Sequence, residues 1–516
     1  MEAMAEKFDP EKMQKDLMDN LKKMMSQTEM KPNTETEKAR EETEEETVNK
    51  RKKILEFNLK PKEVKKYLDR FVIKQEDAKK VLSTAVCDHY NHIRASIKEN
   101  SSNNYMKQNV IMLGPTGVGK TYLIRHLADL IGVPFTKADA TKFSETGYMG
   151  GDVEDLVRDL VQKADGDIEL AQYGMIYLDE VDKIATPTKT MGRDVSGSGV
   201  QRGLLKIMEE TEVSLRNPMD IQSQIQGMME FQKKGKSTNP AINTKHILFI
   251  VSGAFADLEE IIQKRLKQTQ IGFASQEEKN KHSDQVFQHA ETKDFLDFGF
   301  EPEFIGRLPV RVICNSLNEE DLFTILTSSE ESILKQYVAG FDAYDIKMTP
   351  TDNALWEIAK LAAKEKTGAR GLFTVFEKVF RNLKYELPST HLKEFTLTPE
   401  LVTQGNEEMD KLLSEERKEQ KKEISEEIKK FEKQFNDINN ISIKFDNSAI
   451  EAIQEKIIDE GANTVSFLQK LLANYAYGLG LISQKTTKKK FNLDKNIILN
   501  PNAVLDEWIK KAYDKS

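Results

Sequence analysis

Cysteine is nearly missing from this chain of 516 residues: there are two, Cys87 and Cys314, far apart and each in apolar surroundings. They cannot form a disulfide framework or a cysteine-rich zinc site, and a reducing compartment fits them. Long apolar runs are missing too, since none approaches the roughly 18 residues of a membrane-spanning helix. The N-terminal stretch is too acidic for a secretory or organellar targeting peptide, so a cytoplasmic protein is expected. There is no basic surplus either. Lysine and arginine total 76 against 85 acidic residues, a formal charge of −9, which argues against broad binding to nucleic acid or an anionic membrane. Protein and small-molecule partners are expected, with no nucleic acid, no membrane and no zinc.

What is present is concentrated between Asn109 and Thr121, NVIMLGPTGVGKT. The apolar run reads as a short buried strand, and GPTGVGKT has the spacing G-x-x-x-x-G-K-[ST] of a phosphate-binding loop. Gly114, Gly117 and Gly119 let the backbone turn its N–H groups inward, with Pro115, Thr116 and Val118 completing the cradle. The following helix points its positive end at the anion, Lys120 adds a full charge, and Thr121 is placed to hold Mg²⁺. A second apolar run, GMIYL, ends in Asp179 and Glu180. Asp179 is expected to orient the water shell of Mg²⁺, and Glu180 to polarise the water that attacks the γ-phosphate of ATP.

At about 150 residues per domain the length suggests roughly three domains. Residues 1–54 begin with Met13, Leu17, Leu21 and Met24 at helical spacing and continue into an acid-rich linker. Near the other end, Ile424, Ile428, Phe431, Phe435 and Ile438 step by four and three through charged sequence. This is a helix with one apolar seam, which either packs back on the rest of the chain or pairs with another copy. The last segment hides a repeat: IKMTPTDNALWEIAKLAAKEKTGARGLF from Ile346 can be laid over IKFDNSAIEAIQEKIIDEGANTVSFL from Ile443 with a four-residue gap before the GA dipeptide. In that overlay Asn463 stands where Arg370 stands, and the second stretch reads as a degenerate copy of the first.

The segment EFNLKPKEVKKYLDRFVIKQEDAKKVLSTAVCDHYNHI, the phosphate loop and the string ATKFSETGYMGGDVEDLVRDLVQKADGDIELAQYGMIYLDEVDKIA together resemble the ClpX protein unfoldases of the AAA+ class, with HslU the nearest sibling. The resemblance runs through about residues 55 to 405. It implies an α/β fold: an AAA+ large domain with a central parallel sheet at 55–315, a small, mainly helical domain at 316–404, a charged helix at 405–440 and a second small-domain-like module at 441–516. It also implies a hexameric ring that hydrolyses ATP with Mg²⁺ and threads unfolded or tagged proteins toward a ClpP-type peptidase. Remodelling without a peptidase and an HslU-type partnership are the alternatives. A nucleic-acid motor and a non-catalytic scaffold are disfavoured, the first by charge and the second by the intact site.

Carried over residue by residue, the family's aromatic-V-I-G-Q base pocket corresponds to Phe71, Val72, Ile73, Lys74 and Gln75. Lysine replaces the glycine, so either a strain on the order of 1 kcal/mol is borne or the loop has shifted. Gly147, Tyr148, Met149 and Gly150 match the aromatic-hydrophobic pore loop, and the stretch from Asp194 to Gly203 resembles the second pore loop. Ile271, Gly272 and Phe273 match the tripeptide by which ClpX relatives dock on the ClpP ring. Ser252 is a candidate sensor of the γ-phosphate, Arg307 resembles the intersubunit arginine finger, and Arg370 the arginine with which the small domain reaches nucleotide. Where relatives have a basic, histidine-containing entrance loop, Lys233, Lys234 and Lys236 stand without histidine, and the four cysteines of the family's zinc-binding N-domain have no counterparts.

Overall fold

The computed structural model describes residues 57–99, 106–143, 151–185, 195–215, 240–269, 286–486 and 488–514. They fall into two compact units, one running through Ser332 and including Leu361–Leu372, the other made of Ile333–Lys360 and Phe373–Ser516.

The first unit opens with helix α1, Pro61–Leu68, where proline occupies the first turn and the Lys60 N–H is answered by the Glu63 carboxylate at 2.8 Å. Proline is pre-set for this position because its missing N–H would have no helical partner there. Helix α2, Glu76–Glu99, follows, then β1, Val110–Leu113, and α3, Lys120–Ile131. Next come β2, Phe135–Asp139, α4, Asp155–Lys163, β3, Met175–Asp179, and α5, Val195–Met208. A small antiparallel pair, β4 at Glu212–Ser214 and β5 at Ala241–Asn243, precedes β6, Leu248–Gly253, and α6, Ala256–Thr269. The edge strand β7, Val310–Ile313, leads to α7, Glu319–Ser328.

Five of these strands form one sheet in the order β2-β3-β6-β1-β7, and every pairing is parallel. All residues of β1 and β6 are buried. Strands covered on both faces need apolar residues at every position, which is why VIML and LFIV are continuous runs and not alternating ones. Because β1 lies between β6 and β7, the loops leaving the carboxyl ends of these strands share one end of the sheet, where such folds place ligands.

The second unit begins with α8, Ile333–Asp342, and β8, Lys347–Pro350. Then come α9, Asp352–Lys364, and α10, Arg370–Glu386, whose residues 361–364 and 370–372 count with the first unit, then β9, Glu394–Leu397, the short α11, Pro399–Thr403, and the long α12, Gly405–Asn439. After α12 the same order returns: β10, Ser442–Phe445, α13, Asn447–Glu460, α14 and α15, Thr464–Leu471 and Tyr475–Thr486, β11, Lys490–Leu493, α16, Lys495–Leu499, and α17, Pro501–Asp514. In both stretches the two strands pair in parallel. The details repeat as well. Lys347 N–H donates to Lys393 O and Thr351 N–H to Leu397 O, while Ser442 N–H donates to Lys489 O and Asp446 N–H to Leu493 O. Thr351 and Asp446 each accept from the backbone three residues on, at 3.3 and 2.9 Å.

These matches shift the overlay read from sequence. Asp345 and Asn440, with φ of 58° and 53°, make the same left-handed bend two residues before their strands. Ile346 therefore corresponds to Ile441, not to Ile443. A slip of two residues leaves every strand side chain on its own face, so alternation could not detect it.

The apolar seam of α12 finds its partner within this unit. Ile424, Ile428 and Phe435 are buried in one cluster with Ile443, Ile453, Leu468, Tyr475 and Phe491, and Phe431 packs against it half-buried. Gln454 fastens the contact by donating to Lys421 O and Ser425 Oγ at 2.7 and 2.8 Å. Ile438, the last residue of the seam, is 79% exposed and takes no part in it.

Candidate functional site

The phosphate loop turns on glycines with positive φ, at 143° for Gly114, 74° for Gly117 and 96° for Gly119. Gly117 is constrained twice. A Cβ there would lie 2.0 Å from the carbonyl oxygen of Thr367, and a Cβ on Gly368 would lie 2.6 Å from the carbonyl oxygen of Gly117. The two backbones thus run against each other, joined by the Ala369 N–H donating to Gly117 O at 2.8 Å. Arg370, the next residue, is the first of α10. This contact sets the backbone of Arg370 beside the phosphate loop, with its side chain exposed. Lys120 is buried, and its ammonium donates to Gly114 O and Pro115 O at 2.5 and 2.8 Å. Burial holds its pKa below the ordinary lysine value and nearby Arg370 adds to that, against the opposing pull of Asp179 and Asp182.

At the end of β3 the Asp179 carboxylate is tied on both oxygens. Ser252 Oγ donates to Oδ1 at 2.6 Å, the Glu180 N–H reaches the same oxygen at 3.1 Å, and Thr121 Oγ1 lies 3.4 Å from Oδ2. Lys137 of β2 stands 3.6 Å from Oδ2. Burial alone would raise this carboxyl, but the Ser252 hydroxyl, Lys137, the Glu180 N–H and Lys120 together hold it below its ordinary value. A hydroxyl and an ionised carboxylate side by side are hard oxygen donors of the kind that suits Mg²⁺.

Tyr177 was not singled out from sequence and belongs to the same cluster. Its ring is fully buried, and its hydroxyl sits 2.6 Å from Ser252 Oγ and 3.2 Å from Thr121 Oγ1. The available signal was its position two residues before Asp179, hence on the same face of β3. Ser252 was expected to sense the γ-phosphate; its hydroxyl is engaged by Tyr177 and Asp179, an arrangement that positions the carboxylate. Glu180 is exposed and adopts a left-handed φ of 57°, which turns it away from the line of the strand.

On the other side of the loop, Val72 is buried and lies 3.7 Å from the Cβ position of Gly119, while Ile73 is half-buried. Phe71 stacks on His126 of α3 at 4.1 Å. Lys74 takes φ of 59°, the left-handed conformation that glycine adopts without strain.

Arg307 caps the short helix Pro302–Gly306, and its guanidinium pairs with Glu209 at 2.6 Å. Residues 195–203, within the stretch resembling the second pore loop, form the first turns of α5. Tyr148, Met149, Ile271, Gly272, Phe273 and the lysines Lys233, Lys234 and Lys236 lie outside the described residues.

The parallel sheet, the phosphate loop and the carboxylate pair define an ATPase of the AAA class. Residues 106–311 match the family model described as "AAA domain (Cdc48 subfamily)". The ATP-dependent Clp protease ATP-binding subunit ClpX of Borrelia duttonii (strain Ly) is 40% identical over 356 residues, 67% of this chain and 79% of that protein. The ClpX subunit of Treponema denticola is 40% identical over 333 residues, 64% of this chain and 77% of its own length. The chain belongs to the ClpX family of AAA+ ATPases.

The hydroxyl of Tyr177 yields a direct prediction. Tyr177→Phe removes one buried hydrogen-bonding group from Ser252 and Thr121, which is expected to lower unfolding stability by about 1 kcal/mol. It should also raise the Mg²⁺ concentration needed for half-maximal ATPase activity. Denaturant melts and a Mg²⁺ titration check both, and an unchanged Mg²⁺ requirement would remove Tyr177 from the metal side of the site.

Proposed function

We propose that this chain is an ATP-dependent protein unfoldase and translocase that works as a hexameric ring in the cytoplasm and delivers protein substrates to a ClpP-type peptidase. The observation that carries the reading is the assembled nucleotide site, with Arg370 brought to the phosphate loop by the Thr367–Ala369 backbone, in a chain that is 40% identical to curated ClpX subunits. Lys120 and the loop N–H groups bind the phosphates of ATP, and Thr121 and Asp179 would hold Mg²⁺. When bound, that ion neutralises charge on the β- and γ-phosphates. Glu180 holds and polarises the attacking water. Arg307 acts on the neighbour's nucleotide, which makes turnover depend on a closed head-to-tail ring.

Tyr148 and Met149 grip the polypeptide by van der Waals contact, which needs no particular substrate sequence. Ile271, Gly272 and Phe273 anchor the peptidase. A remodelling role without a peptidase is the second reading, and the anchor separates the two.

We infer as well that residues 441–516 are a degenerate copy of the unit that starts at β8. The support is the repeated order of elements, the repeated strand pairing and the paired left-handed bends at Asp345 and Asn440. Its Asn463 caps α14, accepting from Ser466 N–H at 3.1 Å, and asparagine has neither the reach nor the charge of Arg370. The copy braces the ring or docks partners and does not read nucleotide.

Three tests follow. Glu180→Gln keeps ATP binding and assembly but lowers steady-state ATPase at least ~100-fold, since an amide cannot polarise water; wild-type turnover would exclude Glu180 from the chemistry. Phe273→Ala weakens peptidase binding by about 2 kcal/mol per engaged loop, read as lost degradation of a tagged reporter while unfolding persists. Undiminished degradation would favour the remodeller. Truncation after Gln404 leaves the ATPase of assembled rings within about twofold and alters substrate choice or ring stability; loss of ATP binding by intact rings would refute the assignment of the copy.

A further inference from the structure

Two consecutive residues with side chains, Lys74 and Gln75, hold left-handed backbone at φ of 59° and 61°, between the stretch Phe71–Ile73 and the start of α2. Each such residue costs on the order of 1 kcal/mol, and such conformations persist only where their surroundings over-determine them. The surroundings here are one segment, the chain that leaves β7 and enters α7. Gln75 is buried; it donates to Asn315 O at 2.7 Å and accepts from Asn315 N–H at 2.7 Å, with Val118 O of the phosphate loop 3.4 Å from its amide nitrogen.

Lys74 grips the same segment further along. Its ammonium donates to Ser316 O at 2.8 Å and to Asp321 Oδ2 at 2.7 Å. That carboxylate oxygen also accepts from the N–H of Asn318 at 2.9 Å, while Asn318 Oδ1 accepts from the Asp321 N–H at 2.8 Å. Asp321 is thus already immobilised by the cap of α7, so the lysine is attached to a fixed point. A glycine at position 74 would adopt the bend without strain but would attach it to nothing. Lysine accepts the strain and gains two charge-assisted hydrogen bonds.

The wall is held at a second place as well. Arg70 pairs with Glu330 at 2.6 Å, the Glu330 N–H donates to Arg70 O at 3.1 Å, and Ser329 Oγ donates to Phe71 O at 3.0 Å. With Arg70 and Phe71 fastened at one end and Gln75 at the other, Lys74 secures the side of the turn that faces α7.

We propose that Lys74 is a positioning residue for the base of the nucleotide: through Asp321 and the Ser316 carbonyl it pins the Val72–Ile73 wall, and so sets affinity for adenosine nucleotide without setting the rate of hydrolysis. The inference rests on Val72 and Ile73 forming that wall, and the experiment separates the two ideas. ADP binding is measured by calorimetry, and ATPase kinetics at varied ATP, on the full chain carrying Lys74→Met, Lys74→Gly, Lys74→Arg, Asp321→Asn, the Lys74→Met/Asp321→Asn double, or Ile73→Asp.

Lys74→Met and Asp321→Asn are each expected to raise the ADP Kd and the ATP KM about threefold to fivefold, the size of a partly exposed ion pair. kcat stays within about twofold because no atom of the pair acts in the hydrolysis step. The double variant is no worse than either single one, since both remove one shared contact. Lys74→Arg restores most of the affinity, and Lys74→Gly, which relieves strain and folds most readily, loses it as Lys74→Met does. The proposal is overturned if Lys74→Gly and Lys74→Met bind ADP as tightly as the parent, or if the Lys74 and Asp321 effects add in the double. If Ile73→Asp weakens ADP while the lysine variants do not, the pin alone fails. Should all of them leave affinity untouched, the base wall fails with it.

Discussion

The contact on which the rest of the nucleotide site depends is between two stretches of backbone. The carbonyl oxygen of Thr367 occupies the place where a side chain on residue 117 would begin, and the carbonyl oxygen of Gly117 presses equally close to Gly368. Neither glycine can be exchanged for alanine without moving a main chain that is hydrogen-bonded across the gap. This closeness puts the head of α10, where Arg370 stands, beside the phosphate loop.

The buried hydroxyls behind the loop follow a related logic. Asp179 loses hydration on burial, which by itself favours the protonated acid. Ser252, donating at 2.6 Å and itself held by Tyr177, reverses that balance from behind, with Lys137 assisting from the adjacent strand. The charge of this carboxylate is therefore maintained by groups on β2, β3 and β6. It is a strand-to-strand device, available only because the sheet order places β3 between β2 and β6.

Much of this was legible in the sequence, and the exceptions have physical reasons. The phosphate loop and the Asp179–Glu180 pair could be read because their residue types have few other uses at that spacing. Tyr177 escaped notice because a tyrosine inside an apolar strand is ordinarily core, and only the position of its hydroxyl says otherwise. The seam of α12 was visible, but its partner was not, since periodicity shows that a face is apolar without showing what covers it. The overlay of Ile346 on Ile443 failed by two residues because strand patterning repeats every two; the left-handed bends at Asp345 and Asn440, which correct it, carry no shared residue type. Lys74 was flagged as a departure from a glycine, yet its gain lay in Ser316 and Asp321, more than 240 positions away in the chain.

What is kept and what is lost between β8–α12 and β10–α17 separates folding from contact. The kept features are local and energetic: a left-handed bend before the first strand, parallel pairing of the two strands, and a side-chain cap at the start of the next helix. Each repays its own short segment whether or not a nucleotide is near. The two differ at the head of the second helix: Arg370 is the first residue of α10, whereas Asn463 stands just before α14 and caps it by accepting from the Ser466 N–H. A capping asparagine contributes about 1 kcal/mol to its own helix, a local gain that the exposed Arg370 side chain does not supply to α10. Within α12 the module covers Ile424, Ile428 and Phe435, while the exposure of Ile438 has no explanation in this packing.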